Sequence, residues 1–369
     1  MSTRNRSGDT LAPPPAPQRD EAALALRGWH QPRLPRGAGW YAAALAVVVA
    51  SALQAGLGLP LLPSLLTGWA VLGIGLPSLS RAVEGRRKAV DRLVSIMVSS
   101  AFVLAMVPLV SILWTVVKNG LPVLSSEFFT YSMRNVVGEG GGIYHAVWGT
   151  VLITAAAAVM SVPLGLLTAI FLVEYGGDGR LAKVVRFLVD VMTGIPSIVA
   201  GLFAYALFVV FFGPGVRMGI AGAVALTVLM TPVVVRSSEE MLQLVPHELR
   251  EAAYALGVPR WRTIVKVVLP TSMAGLVTGV TLAVARVIGE TAPLLITVGI
   301  TDSSNFTLFD GRMATLPVFT YSSIMSPGVP PEPSIARAWG AALVLMLIVM
   351  VLNLVARLVT YFFSPKGKR

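Results

Sequence analysis

Long apolar stretches constrain the fold of this 369-residue chain more than any other feature. A helix of about 20 apolar residues spans a hydrocarbon core of about 30 Å and satisfies its backbone hydrogen bonds internally. The sequence therefore predicts an all-α integral membrane protein. We predict eight spans, at residues 40–58, 61–79, 93–117, 147–174, 184–212, 219–235, 271–299 and 335–363.

The placement of lysine and arginine predicts how these spans are oriented. With the N-terminus in the cytoplasm, the cytoplasmic segments hold 23 of the 29 basic residues, and Arg286 lies within a span. This bias follows the positive-inside rule and places both termini on the cytoplasmic side of the inner cell membrane. The net charge of +11 is thus explained by topology and lipid contact, without nucleic-acid binding. The basic residues on the external side are Lys118, Arg134, Arg217, Arg312 and Arg337.

The chain divides into four predicted regions. Residues 1–39 are rich in proline and arginine and are expected to form a disordered, basic cytoplasmic tail. Residues 40–80 are predicted to form a transmembrane hairpin, followed by a basic cytoplasmic linker at residues 81–92. Residues 93–369 contain the remaining six spans.

The sequence contains few of the groups that catalysis requires. Cysteine is absent, and the spacing of His30, His145 and His247 suits no metal site. No carboxylate cluster and no Ser-His-Asp arrangement lies within reach of a span, which argues against an integral-membrane enzyme.

A polar loop at residues 237–270 interrupts the second half of the chain. Ser237 and Glu240 have the spacing of a helix N-terminal capping box. Pro246 can begin a second short helix, and Gly257 can end it. We therefore predict a pair of short amphipathic helices at the cytoplasmic membrane surface.

The second of these helices has one predicted apolar face. The charged residues Glu248, Arg250 and Glu251 are expected to point away from that face. The apolar face has the helical spacing i, i+3, i+4, i+7 and consists of Leu249, Ala252, Ala253 and Leu256.

The same loop carries a spaced pattern that resembles the EAA loop of ABC-importer permeases, E-A-A-x3-G-x9-I-x-L-P. Valine in place of isoleucine is the one departure. In that family the loop forms a coupling helix that sits in a groove of the ATPase subunit, and the resemblance implies the same role here. A helix that only anchors the chain at the membrane surface is the alternative. The matching residues are Glu251, Ala252, Ala253, Gly257, Val267, Leu269 and Pro270.

Two ionisable residues lie within an apolar stretch, ARVIGETAPL, of the span predicted at 271–299. Arg286 and Glu290 are four residues apart, which would place them on one helix face about 6 Å apart along the axis. Charge inside a membrane costs at least about 2.5–3.5 kcal/mol per residue and usually serves a function. We predict a substrate pathway at Arg286, Glu290 and Thr291. A self-neutralising pair that stabilises helix packing is the alternative.

The chemistry of this pair favours a protonated oxyanion as the substrate. Arginine can hold two oxygens of such an anion and keeps its charge. A carboxylate would repel a fully deprotonated anion such as sulfate, but it could accept a hydrogen bond from protonated phosphate. We therefore expect Arg286 to attract the anion and Glu290 to discriminate.

Glycine and proline interrupt the span predicted at 184–212. Gly194 and Pro196 lie within it, and proline removes a backbone donor and frees carbonyls of the preceding turn. A hinge beside the pathway and a simple kink are both consistent with this pattern.

Residues 93 to 365 resemble the inner-membrane permease, PstA type, of phosphate-specific ABC importers. The resemblance implies a type I ABC-importer permease fold with a six-span core, preceded here by an extra two-span hairpin. It implies phosphate import, with Arg286 and Glu290 as charged channel residues. The matching stretches besides the EAA loop are GGIYHAVWGT, PLGLLTAIFLVEYG, GIPSIVAGLFAY, ARVIGETAPLL and LPVFTY.

The resemblance also implies partners. These are a PstC-like second permease, a cytoplasmic ATPase dimer and an external phosphate-binding protein. ATP and Mg would be used by the ATPase, so this chain would be no enzyme and would bind no cofactor itself.

Other functions remain open at this stage. An ABC permease for sulfate, molybdate or an organic solute would share the loop and differ in the intramembrane charges. A secondary transporter would not need a coupling helix, and a sensory membrane protein is a further alternative.

Overall fold

A computed structural model describes residues 34–35, 37–177 and 179–363 of the chain. All regular secondary structure in this part of the chain is helical, as predicted. The tail predicted at 1–39 lies almost entirely outside the described residues. The described residues form two compact units that divide after Ser111. The predicted bounds of the hairpin, the linker and the six-span domain stay predictions.

The first unit begins with a helical hairpin. Its helices are α1 (Ala38–Leu57) and α2 (Leu61–Val83). They approach closely at Gly68, where an added Cβ would lie 2.6 Å from the carbonyl oxygen of Ala46. Small residues at such contacts are typical of helices that pack within a membrane. The next helix, α3 (Arg86–Gly120), starts in this unit and ends in the second.

Hydrogen bonds of Glu84 connect the turn after α2 with the residues that precede α1. Its carboxylate accepts hydrogen bonds from the Leu34 N–H at 2.9 Å and from the Ser80 hydroxyl at 2.8 Å. Arg92 donates from Nε at 3.0 Å and forms an ion pair at 2.7 Å. Burial raises the pKa of the Glu84 carboxyl, but these hydrogen bonds and the Arg92 charge outweigh it and lower the pKa below its ordinary value.

The second unit continues from the end of α3 through a series of helices. In chain order they are α4 (Ser126–Thr130), α5 (Tyr144–Gly176, with a π-helical end from Phe171), α6 (Arg180–Thr193), α7 (Ser197–Phe212), α8 (Gly219–Gln243), α9 (His247–Ala255), α10 (Arg260–Val287, with a π turn at Ile264–Val268), α11 (Ala292–Thr297), α12 (Leu316–Met325) and α13 (Glu332–Phe363).

Helix α8 lies at the centre of the second unit, where it packs against α5 and α10. Ile153 of α5 and Leu226 and Met230 of α8 are fully buried in this core. An added Cβ at Gly222 would lie 2.3 Å from a methyl group of Val298, so the close approach requires glycine. Helices in membranes associate through such packing because lipid and apolar side chains are equally apolar.

In the part of the chain that the structure describes, seven helices are long and apolar enough to cross a membrane, namely α1, α2, α3, α5, α8, α10 and α13. Helices α6 and α7 form an eighth span if the pair, which is bent by 107°, is counted as one. This agrees with the eight predicted spans, although two of them differ in extent.

Helix α8 is longer than predicted, and the predicted capping box is wrong. The helix runs unbroken to Gln243, so Ser237 and Glu240 lie inside it. The Ser237 hydroxyl donates to the Val234 carbonyl at 3.2 Å, a contact that serine can make within a helix. The helix continues because Leu242 is fully buried and extends the packed face beyond the apolar stretch.

The span predicted at 271–299 is divided into two helices. Helix α10 ends at Val287, residues 288–291 are not helical, and α11 starts at Ala292. Pro293 explains the break, since it cannot donate a hydrogen bond to the preceding turn and its ring would clash with the carbonyl four residues earlier in a continuous helix. Proline in the first turn of α11 is well tolerated, because the N–H it lacks would have no helical acceptor there.

Candidate functional site

The short helix predicted after Pro246 is confirmed as α9, which connects two spans. Gly257 ends it in the left-handed conformation, with a φ of 76°. The Gly257 N–H donates to the Tyr254 carbonyl at 2.9 Å, and the next N–H, of Val258, donates to the Ala253 carbonyl at 3.1 Å. These bonds form a Schellman motif. An added Cβ would meet no described atom within 4 Å, so conformation rather than space requires glycine here.

Arg250 attaches α9 to the rest of the second unit. Its Nε and Nη2 donate to Oε1 of Glu174, in the π-helical end of α5, at 3.1 and 2.9 Å. Nη1 donates to the Val245 carbonyl at 2.6 Å, and Nη2 also donates to the Leu242 carbonyl at 3.0 Å. Both charged side chains are buried. Arg250 thus lies on the buried side of α9, opposite exposed Leu249 and Leu256, which agrees with the expectation that it points away from the apolar face.

The opposite side of α9 is exposed and carries most of the predicted apolar face. Leu256 is 84% exposed and Leu249 is 42% exposed, and Ala252 and Tyr254 beside them are exposed too. Ala253 is the member of the predicted face that is buried. Exposed apolar surface with a charged rim is typical of a protein interaction site.

The residues of the EAA pattern divide between this exposed surface and the start of α10. Glu251, Ala252 and Gly257 are exposed on or next to α9. Val267 and Leu269 are half-buried, where the π turn of α10 leads into its membrane-spanning part. Pro270 follows and is exposed. The structure thus places these residues on α9, on the turn that ends it and at the start of α10, and their role as an ATPase contact stays a prediction.

A cavity of about 160 Å³ lies next to this loop, between α6 and α8. Arg186 pairs with Glu239 at 3.0 Å, and Arg236 pairs with Asp190 at 2.5 Å. Arg186 and Asp190 lie four residues apart on α6, but each pairs with a residue of α8 instead of with the other. The cavity is lined by Leu172, Arg186, Val189, Asp190, Arg236, Glu239, Glu240 and Gln243.

The predicted pathway residues lie on both sides of the break that follows α10. Arg286 is in the last turn of α10 and is exposed, whereas Glu290 and Thr291 lie beyond the helix end and are half-buried. The expectation that Arg286 and Glu290 share a helix face is wrong because the helix ends between them. The two residues form no ion pair with each other or with another described residue.

The predicted interruption at Gly194 and Pro196 is a sharp bend. Helix α6 ends at Thr193, and α7 leaves it at an angle of 107°. Helix α7 then packs against α11, where an added Cβ at Gly201 would lie 2.6 Å from Cα of Pro293. The structure therefore brings the two broken spans into direct contact, one turn beyond Pro196 and two residues beyond Thr291.

The described residues contain no group of three or more histidine, aspartate or glutamate side chains that could hold a metal ion.

Residues 161–369 match the family described as the binding-protein-dependent transport system inner membrane component, and they make up more than half of the chain. The chain belongs to this family.

Several relatives place the chain in the PstA-type branch of this permease family. The phosphate transport system permease protein PstA 1 of Mycobacterium tuberculosis is 46% identical over 295 residues, which cover 79% of this chain and 94% of that protein. PstA of Pasteurella multocida is 42% identical over 261 residues, covering 70% and 88%. PstA of Yersinia pestis is 37% identical over 283 residues, covering 76% and 92%. The predicted family is thereby confirmed.

A solved structure confirms the predicted permease fold. The inward-facing MetNI methionine ABC transporter matches with a TM-score of 0.50 and 19% identity, over 60% of this chain and 96% of the matched chain. At this identity the likeness concerns the fold alone. Together with the apolar helices, it assigns a multi-pass membrane protein with a type I ABC-importer permease fold.

The buried pair of Arg250 and Glu174 is a feature that the sequence reasoning missed. Both residues lie inside stretches that were singled out, but 76 residues separate them. The spacing within either stretch gives no sign of the other. The pair could have been found only by assuming that Arg250 is buried and then asking which carboxylate in the chain neutralises it.

Proposed function

We propose that this chain is the permease subunit of an ATP-driven importer of inorganic phosphate in the cytoplasmic membrane. One observation carries the proposal: the chain matches proteins named phosphate transport system permease over about nine-tenths of their length. The fold and the loop that contains α9 agree with such a role.

The exposed face of α9 is the surface that an ATPase subunit would contact. Leu249, Ala252 and Leu256 offer apolar area and little steric bulk, and Gly257 sets the direction in which the chain leaves the helix. Movement of the ATPase would reach the spans through Arg250 and Glu174, because this buried pair joins α9 to α5. ATP and Mg would be used by that partner, and this chain would need no cofactor of its own.

The break after α10 supports a pathway at Arg286, Glu290 and Thr291. Irregular backbone at membrane depth is tolerated where it is buried in protein or lines a water-filled cavity. Discontinuous helices commonly form substrate sites in transporters for this reason. Arg286 is exposed in the single chain, so a second, PstC-like permease would cover it in the assembly.

The remaining partners and the orientation follow from charge placement. The excess of lysine and arginine in alternate segments favours cytoplasmic N- and C-termini and a cytoplasmic α9. The loops on the other side, among them 300–315, would then face an external phosphate-binding protein. Membrane lipid would surround the apolar helices.

Reconstitution tests this function. The chain is combined with a PstC-like permease, the ATPase and the binding protein in proteoliposomes, and uptake of labelled phosphate and labelled sulfate is measured with and without ATP. We expect phosphate uptake that requires ATP and is lost in Arg286→Gln. Uptake without ATP would indicate a secondary transporter, and preferential sulfate uptake would indicate another oxyanion importer.

A further inference from the structure

Two arginines from different loops meet at Gly299, just after α11. An added Cβ at Gly299 would lie 2.9 Å from Cδ and 3.0 Å from Nη1 of Arg217, and 3.5 Å from Cδ of Arg312. Both side chains therefore lie against the same glycine. Arg217 is half-buried and Arg312 is exposed, so this basic cluster at Gly299 is accessible from solvent.

The cluster of Arg217 and Arg312 carries positive charge that the described part of the chain does not neutralise. The side chains of Arg217 and Arg312 form no ion pair and no hydrogen bond with any described residue, although Asp302 and Asp310 lie in the same loop as Arg312. By contrast, the guanidinium groups of Arg186, Arg236 and Arg250 are each paired with a carboxylate.

The loop that carries Arg312 is held in place before any ligand arrives. The Asn305 side chain donates to the backbone carbonyls of Asp310 at 2.7 Å and of Arg312 at 3.1 Å. The Phe306 ring makes edge contacts with Tyr144 and Trp148 of α5, each with 6.2 Å between ring centroids. A site whose residues are already positioned loses less conformational entropy when it binds a ligand.

The loop that carries Arg217 is fixed by backbone hydrogen bonds. The Met218 N–H donates to the Thr297 carbonyl of α11 at 3.2 Å, and the Ile220 N–H donates to the Leu308 carbonyl at 2.8 Å. Both arginine-bearing loops are thus joined to the end of α11.

Gly299 leaves room for the side chain of Arg217. Its φ is 76°, a conformation that side chains rarely adopt, and a Cβ there would collide with Arg217. The guanidinium of Arg217 lies against the backbone instead of projecting outward, which suits a small anion better than the surface of another protein.

We propose that Arg217 and Arg312 form an external binding site for a small tetrahedral oxyanion, which inorganic phosphate occupies before it reaches Arg286. The site rests on the proposed function and orientation, in which both loops are external. In the chain, α11, which is six residues and about 9 Å long at 1.5 Å per residue, lies between Arg286 and Gly299. Two unpaired guanidinium groups supply the planar donors that bind such oxygens.

Protection from chemical modification tests binding without relying on transport. The complete purified assembly is treated with phenylglyoxal, which reacts with arginine, and the modified fraction of each arginine is measured by mass spectrometry. We expect inorganic phosphate to slow modification of Arg217 and Arg312 severalfold. Exposed Arg134, on the same proposed side, is the control and should react at an unchanged rate. Absence of protection, or equal protection by chloride at the same ionic strength, would overturn the site.

Transport by variants tests what the site does. Losing hydrogen bonds to a charged ligand commonly costs about one decade of affinity, so we expect Arg217→Gln with Arg312→Gln to reduce phosphate uptake about tenfold. The affinity for the binding protein should be unchanged, and Arg134→Gln should resemble the parent. Lysine at both positions should recover only part of the uptake, because an ammonium keeps the charge but lacks the planar donors. If excess binding protein restores the double variant fully, the arginines are a docking contact and the proposal fails.

The two experiments separate this site from the proposed function. Protection by phosphate in an assembly that transports no phosphate would leave the site standing and overturn the function. Phosphate uptake without protection would overturn the site and leave the function standing.

Discussion

The positively charged side chain of Arg250 is buried, and its hydrogen bonds to protein atoms replace those it would make with water. One carboxylate and two backbone carbonyls accept its hydrogen bonds. Removing two charges from water costs several kcal/mol per ion, so such a pair adds little net stability. Separating the Arg250–Glu174 pair would leave a buried charge unpaired, which costs free energy. The pair therefore fixes α9 in one orientation against α5 and α8.

We predict that Arg250→Met destabilises the protein by about 3–5 kcal/mol, because Glu174 is then left buried without a partner. The change would appear as a lower thermal unfolding temperature of the purified full chain. Adding Glu174→Gln to this variant should recover much of the loss. Lys183→Met, at an exposed position of α6, is the control. Equal losses in the single and double variants would contradict a specific pair.

Glu84 gives the first unit a pH dependence with a defined sign. Its pKa in the folded chain lies below the ordinary value of 4.5, so its stabilising contribution is complete above that value and disappears as the pH falls through the lowered pKa. We expect the unfolding temperature of Glu84→Gln to lie below that of the parent at neutral pH, with the difference shrinking below pH 4.5. Exposed Glu139→Gln should show no such trend. A difference that grows with acid would refute the assignment.

At the scale of helices, the sequence predicted the positions of elements better than their ends. The apolar stretches located every membrane-spanning helix, and Gly257 located the end of α9, because few residues adopt its conformation. The end of α8 could not be read locally, since it depends on how deeply Leu242 is buried by other helices. The break before Pro293 was missed, since residues 271–299 were predicted as one span.

The predicted pathway and coupling residues illustrate the same limit. Arg286 and Glu290 were found because charges are rare in apolar sequence, yet their relation was wrong because helical spacing was assumed across a break. The helical spacing correctly grouped Leu249, Ala252 and Leu256 on one side of α9. Which side of the helix packs inward depended on Glu174, from a distant part of the chain.

The exposed face of α9 makes a prediction that belongs to this helix as a unit. We expect Leu256→Glu to prevent ATPase binding and ATP-dependent uptake while leaving thermal unfolding unchanged, because Leu256 is 84% exposed in the single chain. Pull-down of the ATPase by the purified permease measures the effect. Val137→Glu, at a residue that is 92% exposed in the loop before α5, is the matched control. Normal ATPase binding by Leu256→Glu would exclude this face as the contact.

At the scale of the whole molecule, charges are arranged according to their surroundings. Arg186, Arg236 and Arg250 are paired with carboxylates, whereas Arg217, Arg286 and Arg312 form no ion pair with the described residues, and neither do Arg260 and Arg262 at the start of α10. In the proposed function, Arg217, Arg286 and Arg312 would attract the anion. The same arrangement leaves Arg286 exposed in the single chain, consistent with a second permease beside it.

Discrimination between anions tests this arrangement in the complete assembly. We predict that Glu290→Gln loses much of the preference for phosphate over sulfate, because the carboxylate no longer repels a fully deprotonated anion. The ratio of phosphate to sulfate uptake in proteoliposomes measures this. Glu332→Gln, at an exposed external position in the proposed orientation, should keep the parental ratio. An unchanged ratio in Glu290→Gln would exclude Glu290 as the discriminating residue.

The contact between Gly201 and Pro293 has a mechanical consequence. Because Gly201 brings the backbone of α7 close to Pro293 in the first turn of α11, we expect a tilt of one helix to shift the other. A rotation that begins at the 107° corner before α7 would therefore displace Glu290 and Thr291 in the same movement. The bend between α6 and α7 and the predicted oxyanion contacts at Glu290 and Thr291 would then move together.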